Sequence, residues 1–297
     1  MQNNAKIGII GGDMRQLSLS RRLSENGFEV AVWGLARGDI GGAVRCTDWR
    51  SSVEKSSAVI LPLGAFKDGK YVINSSLGGE GVPLAELLYI MPKDAILLCP
   101  SPDGVVKRST ANHNIAVLDY FNSEELQIKN AIPTAEGAIE IAMRELPITI
   151  NGSRLLVCGY GRIGKILSTL LEKLGAKVYV CARSESDLAY IEAAGNIPVS
   201  YTDNTFMCTA KMVDAVFNTV PARIIDKTVI ENMSRCKLMV DLASGDGGID
   251  FSAAEKSGIK CIHALALPGK VAPVTAGEIL ADSIYTMLLK KGVLPNQ

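Results

Sequence analysis

The residues best placed for chemistry are the glycines of Gly159-Tyr160-Gly161-Arg162-Ile163-Gly164. This segment directly follows the apolar run Leu155-Leu156-Val157-Cys158 and precedes an amphipathic stretch, which is the context of a dinucleotide-binding turn. The first glycine permits a tight turn, the second lets the main chain approach a pyrophosphate, and the third allows close helix–strand packing. The N–H groups and the positive end of the helix would then receive the phosphates. The six residues predict dinucleotide binding.

The next strand-like run decides which nicotinamide dinucleotide is preferred. It ends at Ala182-Arg183-Ser184, about 20 residues beyond the glycines, where an NAD-binding protein usually carries Asp or Glu. No carboxylate stands at this strand end. Arg183 can face a 2′-phosphate with its guanidinium while Ser184 donates a hydrogen bond. We therefore predict that the cofactor is NADP(H).

Two later strand ends are expected on the nicotinamide side, because ligands bind beyond the carboxyl ends of the strands in this architecture. They read Asn218-Thr219-Val220-Pro221 and Asp241-Leu242-Ala243-Ser244. Small or polar residues follow a buried strand in both, so backbone groups and hydroxyls can reach the cofactor. Asn218 and Asp241 are equally typical of turn residues that bind local backbone groups, and both interpretations stay open.

The elements that must position these residues form a repeating pattern. Short apolar runs alternate with longer stretches of helical period, which is typical of a parallel sheet flanked by helices. Strands are predicted at 6–10, 28–33, 58–61, 95–99, 115–120, 154–158, 177–181, 214–219, 237–242 and 260–263. The fold class predicted is α/β, with two doubly wound parallel-sheet domains linked by long helices, the second being a Rossmann domain.

Two helices are expected to link the domains. One spans 133–146, with Pro133-Thr134 as its start signal, and the other spans about 275–291 and carries a continuous apolar face. We predict an N-terminal flavodoxin- or Rossmann-like substrate domain (1–130), a linking helix (131–150), a Rossmann dinucleotide-binding domain (151–272) and a C-terminal helix (273–297) that packs back on the N-terminal domain.

The composition excludes several classes of function. The 297 residues carry 31 Lys+Arg and 31 Asp+Glu, so the charge that non-specific nucleic-acid binding needs is missing. No apolar run approaches the roughly 20 residues of a membrane span, and no signal peptide is recognised, so we expect a cytoplasmic protein. The seven cysteines form no close pair and are expected to be structural, and only His113 and His263 exist, so we expect no metal site.

The assembled segments resemble one family, the A subunit of dipicolinate synthase from spore-forming bacteria. The resemblance covers nearly the whole chain. Besides the glycine turn, Ala182-Arg183-Ser184 and the two strand ends, it rests on three more specific segments: Ile10-Gly11-Gly12-Asp13-Met14-Arg15-Gln16, Ile132-Pro133-Thr134-Ala135-Glu136-Gly137 and Leu267-Pro268-Gly269-Lys270-Val271-Ala272-Pro273-Val274-Thr275-Ala276-Gly277.

The resemblance implies an activity and a partner. The chain would oxidise dihydrodipicolinate, a small dicarboxylate from the lysine pathway, to dipicolinate with NADP⁺ as acceptor. It would act with a flavoprotein-like B subunit during sporulation, in the mother-cell cytoplasm. We also expect a homo-oligomer.

That reaction removes a hydride and a proton, so the site needs a base and groups that hold two carboxylates. Arg15 and Gln16 follow the first strand, and we expect both domains to present such strand ends to one cleft. Arg15 is the first choice for a carboxylate contact. Thr134 and Glu136 are further candidates, although Thr134 also fits a helix cap. The candidate bases are Asp13, Glu136 and Asp241, with Lys270 behind them.

Two other functions compete with this interpretation. A D-2-hydroxyacid dehydrogenase has the same two-domain plan, but it carries a histidine before the last helix, where this chain has none. His263 lies earlier and is expected to pack in the core. A non-catalytic NADPH-binding protein that regulates a flavoprotein partner would keep every cofactor residue and need no substrate site.

Overall fold

A computed structural model describes residues 5–66, 72–73, 81–202 and 204–295, and most of their strands form two parallel sheets. The described residues divide into two units. The first contains those up to Lys129 together with those from Ala272 onward, and the second runs from Asn130 to Val271. The boundaries predicted from the sequence for the four segments stay predictions.

The first unit contains a sheet of six strands among its described residues, in the order β3-β2-β1-β4-β7-β8. A separate antiparallel pair joins β5 and β6. The elements are β1 (Lys6–Ile10), α1 (Met14–Glu25), β2 (Glu29–Trp33), β3 (Val44–Arg45), α2 (Trp49–Val53), β4 (Ala58–Ile60), β5 (Val72–Ile73), β6 (Val82–Pro83), α3 (Leu84–Ile90), β7 (Ile96–Leu98), α4 (Gly104–Asn112), β8 (Ala116–Leu118), a 3-10 turn (Tyr120–Asn122) and the start of α5 (Glu124–Glu145).

The second unit repeats the same strand order, β11-β10-β9-β12-β13-β14. After α5, its elements are β9 (Arg154–Cys158), α6 (Arg162–Lys173), β10 (Lys177–Ala182), α7 (Glu185–Ala193), β11 (Ile197–Ser200), α8 (Thr205–Ala210), β12 (Ala215–Asn218), α9 (Lys227–Glu231), β13 (Leu238–Asp241), α10 (Phe251–Lys256), β14 (Lys260–His263) and α11 (Leu267–Val271). The chain ends with α12 (Pro273–Lys290), which belongs to the first unit.

Both sheets are doubly wound, because the strand order reverses beside the first strand of each unit. Strand β9 shows why: Leu155 and Val157 pack into one core, whereas Leu156 and Cys158 pack into another on the opposite face. A strand buried on both faces needs a continuous apolar run and helices on either side. The predicted fold class, two doubly wound parallel-sheet domains of which the second is Rossmann-like, is confirmed.

The predicted start of the linking helix is wrong. Helix α5 begins at Glu124, so Pro133 lies inside it and Thr134 does not cap it. A proline inside a helix removes one N–H donor and crowds the carbonyl four residues before it, but the residues on both sides of Pro133 are helical. Thr134 binds back to the helix instead, since its Oγ1 donates to the Asn130 carbonyl at 2.8 Å.

The final helix packs closely on α1 within the first unit. At Gly277 a side chain would overlap the Arg15 carbonyl oxygen and come within 2.7 Å of the Ser18 Cβ. The buried side chains of Leu280 and Ile284 join the same core as β1. This contact fixes the helix that follows the β1 loop.

Candidate functional site

The glycine turn between β9 and α6 has the geometry that a dinucleotide needs. Gly159 has φ of +98°, and a side chain there would come within 2.9 Å of the Val220 Cγ2. At Gly164 a Cβ would overlap the Gly159 carbonyl oxygen, so α6 lies directly on the turn. Gly161 differs, because a Cβ there would have nothing within 4 Å. The second glycine therefore faces open space, where a phosphate can approach the backbone.

The open side of this turn belongs to a cavity of about 1160 Å³. Its walls come from the glycine turn, the end of β10, the segment after β12, and residues between β11 and α9. The predicted cofactor residues that line it are Gly159, Tyr160, Gly161, Ala182, Arg183, Ser184, Thr219, Val220 and Pro221. This volume and the glycine geometry fit an extended dinucleotide.

A buried pair of side chains holds the two later strand ends. The Asp241 carboxylate is fully buried and accepts hydrogen bonds from Asn218 Nδ2 at 2.9 Å, Ala243 N at 3.1 Å and Gly248 N at 2.7 Å. Asn218 also donates to the Val220 carbonyl at 3.0 Å and accepts from the Val220 N–H at 3.1 Å. Asn218 and Asp241 thus behave as the turn residues of the second interpretation and shape the cavity wall indirectly.

Arg183 and Ser184 directly follow β10, which ends at Ala182. Arg183 is exposed, and no carboxylate among the described residues lies within ion-pair distance of its guanidinium. Ser184 caps α7, since its Oγ accepts from the Asp187 N–H at 3.1 Å and donates to the Asp187 Oδ2 at 2.7 Å. Arg183, which has no anionic partner in the described part of the chain, therefore lines the cavity at the position expected for a 2′-phosphate.

The cavity is also lined by residues that the sequence motifs did not include. Tyr201, Phe206 and Met207 form an apolar wall, with the Tyr201 and Phe206 rings 5.3 Å apart. Burial beside the Cys158 and Cys181 thiols raises the pKa of Tyr201, so its phenol stays neutral. An apolar wall of this kind suits the flat face of a base.

The other predicted cofactor residues do not line the cavity. They are Arg162, Ile163, Gly164, Asn218, Asp241, Ala243 and Ser244. Gly164, Asn218 and Asp241 support the walls instead, and Ala243 is buried while Ser244 is exposed.

In the first unit, the segment after β1 forms a closed set of contacts. The Arg15 guanidinium is buried and binds both oxygens of Asp13, with Nε 2.9 Å from Oδ1 and Nη2 2.7 Å from Oδ2. Gln16 is also buried, and its Oε1 accepts from the Asp13 N–H at 2.8 Å. Asp13 caps α1 and neutralises Arg15, which leaves the Nη1 side of the guanidinium without a hydrogen bond among the described residues.

Comparisons with known proteins decide the family. The family model for the N-terminal domain of the dipicolinate synthase A subunit matches residues 6–121. The A subunit of dipicolinate synthase from Bacillus subtilis (strain 168) is 36% identical over 291 residues, 97% of this chain and 97% of that protein. The chain belongs to the family of dipicolinate synthase A subunits.

Solved structures agree with this family and its fold. The crystal structure of the dipicolinate synthase A subunit from Bacillus halodurans superposes with a TM-score of 0.86 at 31% identity, over 97% of this chain and 99% of that one. L-alanine dehydrogenase, at 16% identity, has a TM-score of 0.68 over 97% of this chain and 90% of that one. The second match shows that this A-subunit family shares the fold of a dehydrogenase.

The remaining candidates for substrate chemistry in this family member lie in the second unit. Glu136 is exposed on α5, where it borders a groove between α5 and α6. Lys270 is exposed on the short helix α11. Thr134 is buried, and its hydroxyl donates to a carbonyl of its own helix. The carboxylate and ammonium that stay accessible are therefore those of Glu136 and Lys270.

The structure also places the cysteines and histidines. Cys208 is exposed, whereas burial raises the pKa of Cys99 and of Cys236 to about 12. His263 is half-buried, with Nε2 3.1 Å from the Ala243 carbonyl oxygen. Within the described ranges, no group of three or more potential ligands could hold a metal ion. No helix in the same ranges is long and apolar enough to cross a bilayer.

Proposed function

We propose that this chain is the A subunit of a dipicolinate synthase that oxidises dihydrodipicolinate to dipicolinate with NADP⁺ during sporulation, in the mother-cell cytoplasm. One observation carries the proposal: a member of this family has a glycine turn whose second glycine opens onto a dinucleotide-sized cavity. The chain would act with a B subunit. Copies of the chain itself would also form a homo-oligomer. The chain would bind neither nucleic acid nor a membrane.

The cofactor would be held by the second unit. Gly161 gives the pyrophosphate access to the backbone, and the N-terminal end of α6 directs positive potential toward it. Arg183 would pair with the 2′-phosphate, because its guanidinium has no other anionic partner among the described residues. When bound, the nicotinamide supplies the hydride acceptor. Thr219 holds the cavity wall by donating to the Cys158 carbonyl at 2.8 Å.

The substrate carboxylates would be held in the first unit by Arg15. Asp13 binds the Nε edge of the guanidinium and so fixes its plane, while Nη1 keeps donors for a carboxylate. Gln16 supports this arrangement, since its bond to the Asp13 N–H fixes the start of α1. Asp13 and Gln16 are therefore proposed as positioning residues.

The proton would be taken by Glu136 or Lys270. Asp241 is unsuited, because both of its oxygens accept N–H donors in a fully buried place. Asp13 already accepts from the Arg15 guanidinium through both oxygens. Glu136→Gln and Lys270→Met separate the two remaining candidates, because only loss of the base removes the limb of the pH–rate profile that it controls.

Dipicolinate formation tests the function directly. Freshly generated dihydrodipicolinate is supplied with NADP⁺ to the purified chain, alone and with a candidate B subunit, and the rate is compared with spontaneous oxidation. We expect turnover well above the spontaneous rate. Absence of acceleration in both mixtures, with NADPH binding confirmed, would favour a regulatory NADPH-binding protein instead.

Arg15→Ala distinguishes these two functions further. An enzyme should lose turnover while NADPH affinity is kept, and Arg15→Lys should restore part of it. Arg22→Ala is the matched control, since Arg22 lies on the same helix but is exposed and pairs with Asp282. A regulator without a substrate site should respond to neither variant.

Arg183→Asp tests the cofactor. The substitution places a carboxylate opposite the 2′-phosphate, so NADPH binding should weaken far more than NADH binding. Equal weakening of the two dinucleotides would refute the role of Arg183.

A further inference from the structure

The cavity that Arg183 lines is also lined by a carboxylate. Asp187 lies in the first turn of α7 and lines the same cavity as Arg183 and Tyr160. The Ser184 hydroxyl donates to its Oδ2 at 2.7 Å, and its own N–H donates to the Ser184 Oγ at 3.1 Å. These two bonds fix the position of the carboxylate.

The charge of Asp187 is not cancelled locally. Among the described residues, no guanidinium or ammonium lies within ion-pair distance of it, and Arg183 is no exception. Its field reaches the glycine turn, since Asp187 contributes, after burial, to raising the pKa of Tyr160. Among the described residues, the side chains that line the cavity therefore include one positive and one negative group, Arg183 and Asp187.

The two dinucleotides differ by one group that would meet these charges. NADP(H) carries a 2′-phosphate with about two negative charges, which Arg183 attracts and Asp187 repels. NAD(H) carries a neutral 2′-hydroxyl, which can donate to a carboxylate without penalty. We propose that Asp187 is a specificity-determining residue that limits the preference of this site for NADP(H) over NAD(H). This inference rests on the proposed function only through the binding of a nicotinamide dinucleotide.

Asp187→Asn removes the charge with little other change. The side chain keeps its size, the N–H that Ser184 caps is retained, and the amide oxygen can still accept from the Ser184 hydroxyl. Titrations of the full chain with NADPH and with NADH, at low ionic strength, measure the effect. We expect NADPH to bind about three- to tenfold more tightly, as for unit charges several ångströms apart in a partly solvated site, and NADH to stay within about twofold.

Glu185→Gln is the matched control. Glu185 lies in the same helical turn and the substitution changes the net charge equally, but its side chain does not line the cavity. The ratio of the two affinities should stay as in the wild type. A ratio unchanged by Asp187→Asn, or shifted equally by Glu185→Gln, would overturn the inference.

The experiment separates this inference from the proposed function. Both readouts are binding constants, so the predicted shift without any oxidation of dihydrodipicolinate would support Asp187 and remove the enzymatic proposal. An unchanged ratio of the two affinities, together with dipicolinate formation, would overturn the role of Asp187 and support the enzymatic proposal. A wild-type chain that binds neither dinucleotide would overturn both.

Discussion

Alanine substitutions at Gly161 and Gly164 should separate binding from folding within one turn. At Gly164 the added methyl would overlap the Gly159 carbonyl oxygen, so the backbone must shift. Overpacking of this kind costs about 3 kcal/mol at a backbone contact. For a unit of this size, that corresponds to a fall in Tm of roughly 10 °C.

The methyl at Gly161 meets nothing within 4 Å, and the residue has φ of −80°, which alanine adopts freely. The loss of N-cap preference and the lower entropy of the unfolded chain nearly cancel, so the unfolding free energy should change by less than about 1 kcal/mol. A phosphate would lose close contact with the backbone, however. One charge-assisted hydrogen bond is worth about 1.5–3 kcal/mol, which predicts NADPH binding at least about tenfold weaker.

Scanning calorimetry and titration calorimetry on the same preparations give both quantities. Gly161→Ala should keep the wild-type Tm and lose NADPH affinity, whereas Gly164→Ala should lose Tm. Wild-type affinity in Gly161→Ala would refute the placement of the pyrophosphate, and a wild-type Tm in Gly164→Ala would refute the packing of the turn.

Other predictions concern stability, thiol chemistry and stoichiometry. Asp241→Ala leaves three N–H groups without their acceptor and should lower the free energy of unfolding in urea by about 3 kcal/mol; a loss below about 1 kcal/mol would contradict the role of these hydrogen bonds in holding the strand ends. Tyr120→Phe removes the bond to the Leu61 carbonyl, 2.8 Å long, and should cost about 1 kcal/mol in the same assay. Cys208→Ser should abolish the fast labelling of the native protein by a disulfide reagent, since Cys208 is exposed while Cys236 is buried with a raised pKa. Calorimetry should give one NADPH per chain, and a second equivalent site would contradict the assignment to one unit.

The strands buried on both faces are predictable because an apolar run needs no tertiary information. Strand β9 and the glycine turn after it are examples. The two-residue strand β3 is not predictable in this way, since Val44 is exposed and pairs only through its backbone with β2. The predicted start of α5 is wrong because proline is over-represented at the first position of helices, whereas here the helix continues through Pro133.

The parts of the site that one continuous segment forms can be predicted from the sequence. The parts that strand pairing assembles from several segments cannot. Tyr201 and Phe206 join the cavity only through the pairing of β11 with β10, which no local pattern reports. The contact between Ser184 and Asp187 could have been predicted, since Ser184-Glu185-Ser186-Asp187 has the spacing of a capping box. The pairing of Arg15 with Asp13 has no such signal, because residues two apart do not face each other within a helix. Asp13 precedes the helix, however, so its side chain can turn back.

The two units share one strand order, but the helix after the first strand of each unit has a different residue at its N-cap. In the first unit, α1 is capped by Asp13, and the carboxylate and Gln16 complete a capping box. The main-chain N–H groups of Asp13 and Arg15 already have side-chain acceptors, so they are not available to a phosphate. In the second unit, α6 is capped by Gly161, which has no side chain and no side-chain cap hydrogen bond. The positive end of α6 is thus open to an anion, whereas that of α1 is already neutralised by the chain itself.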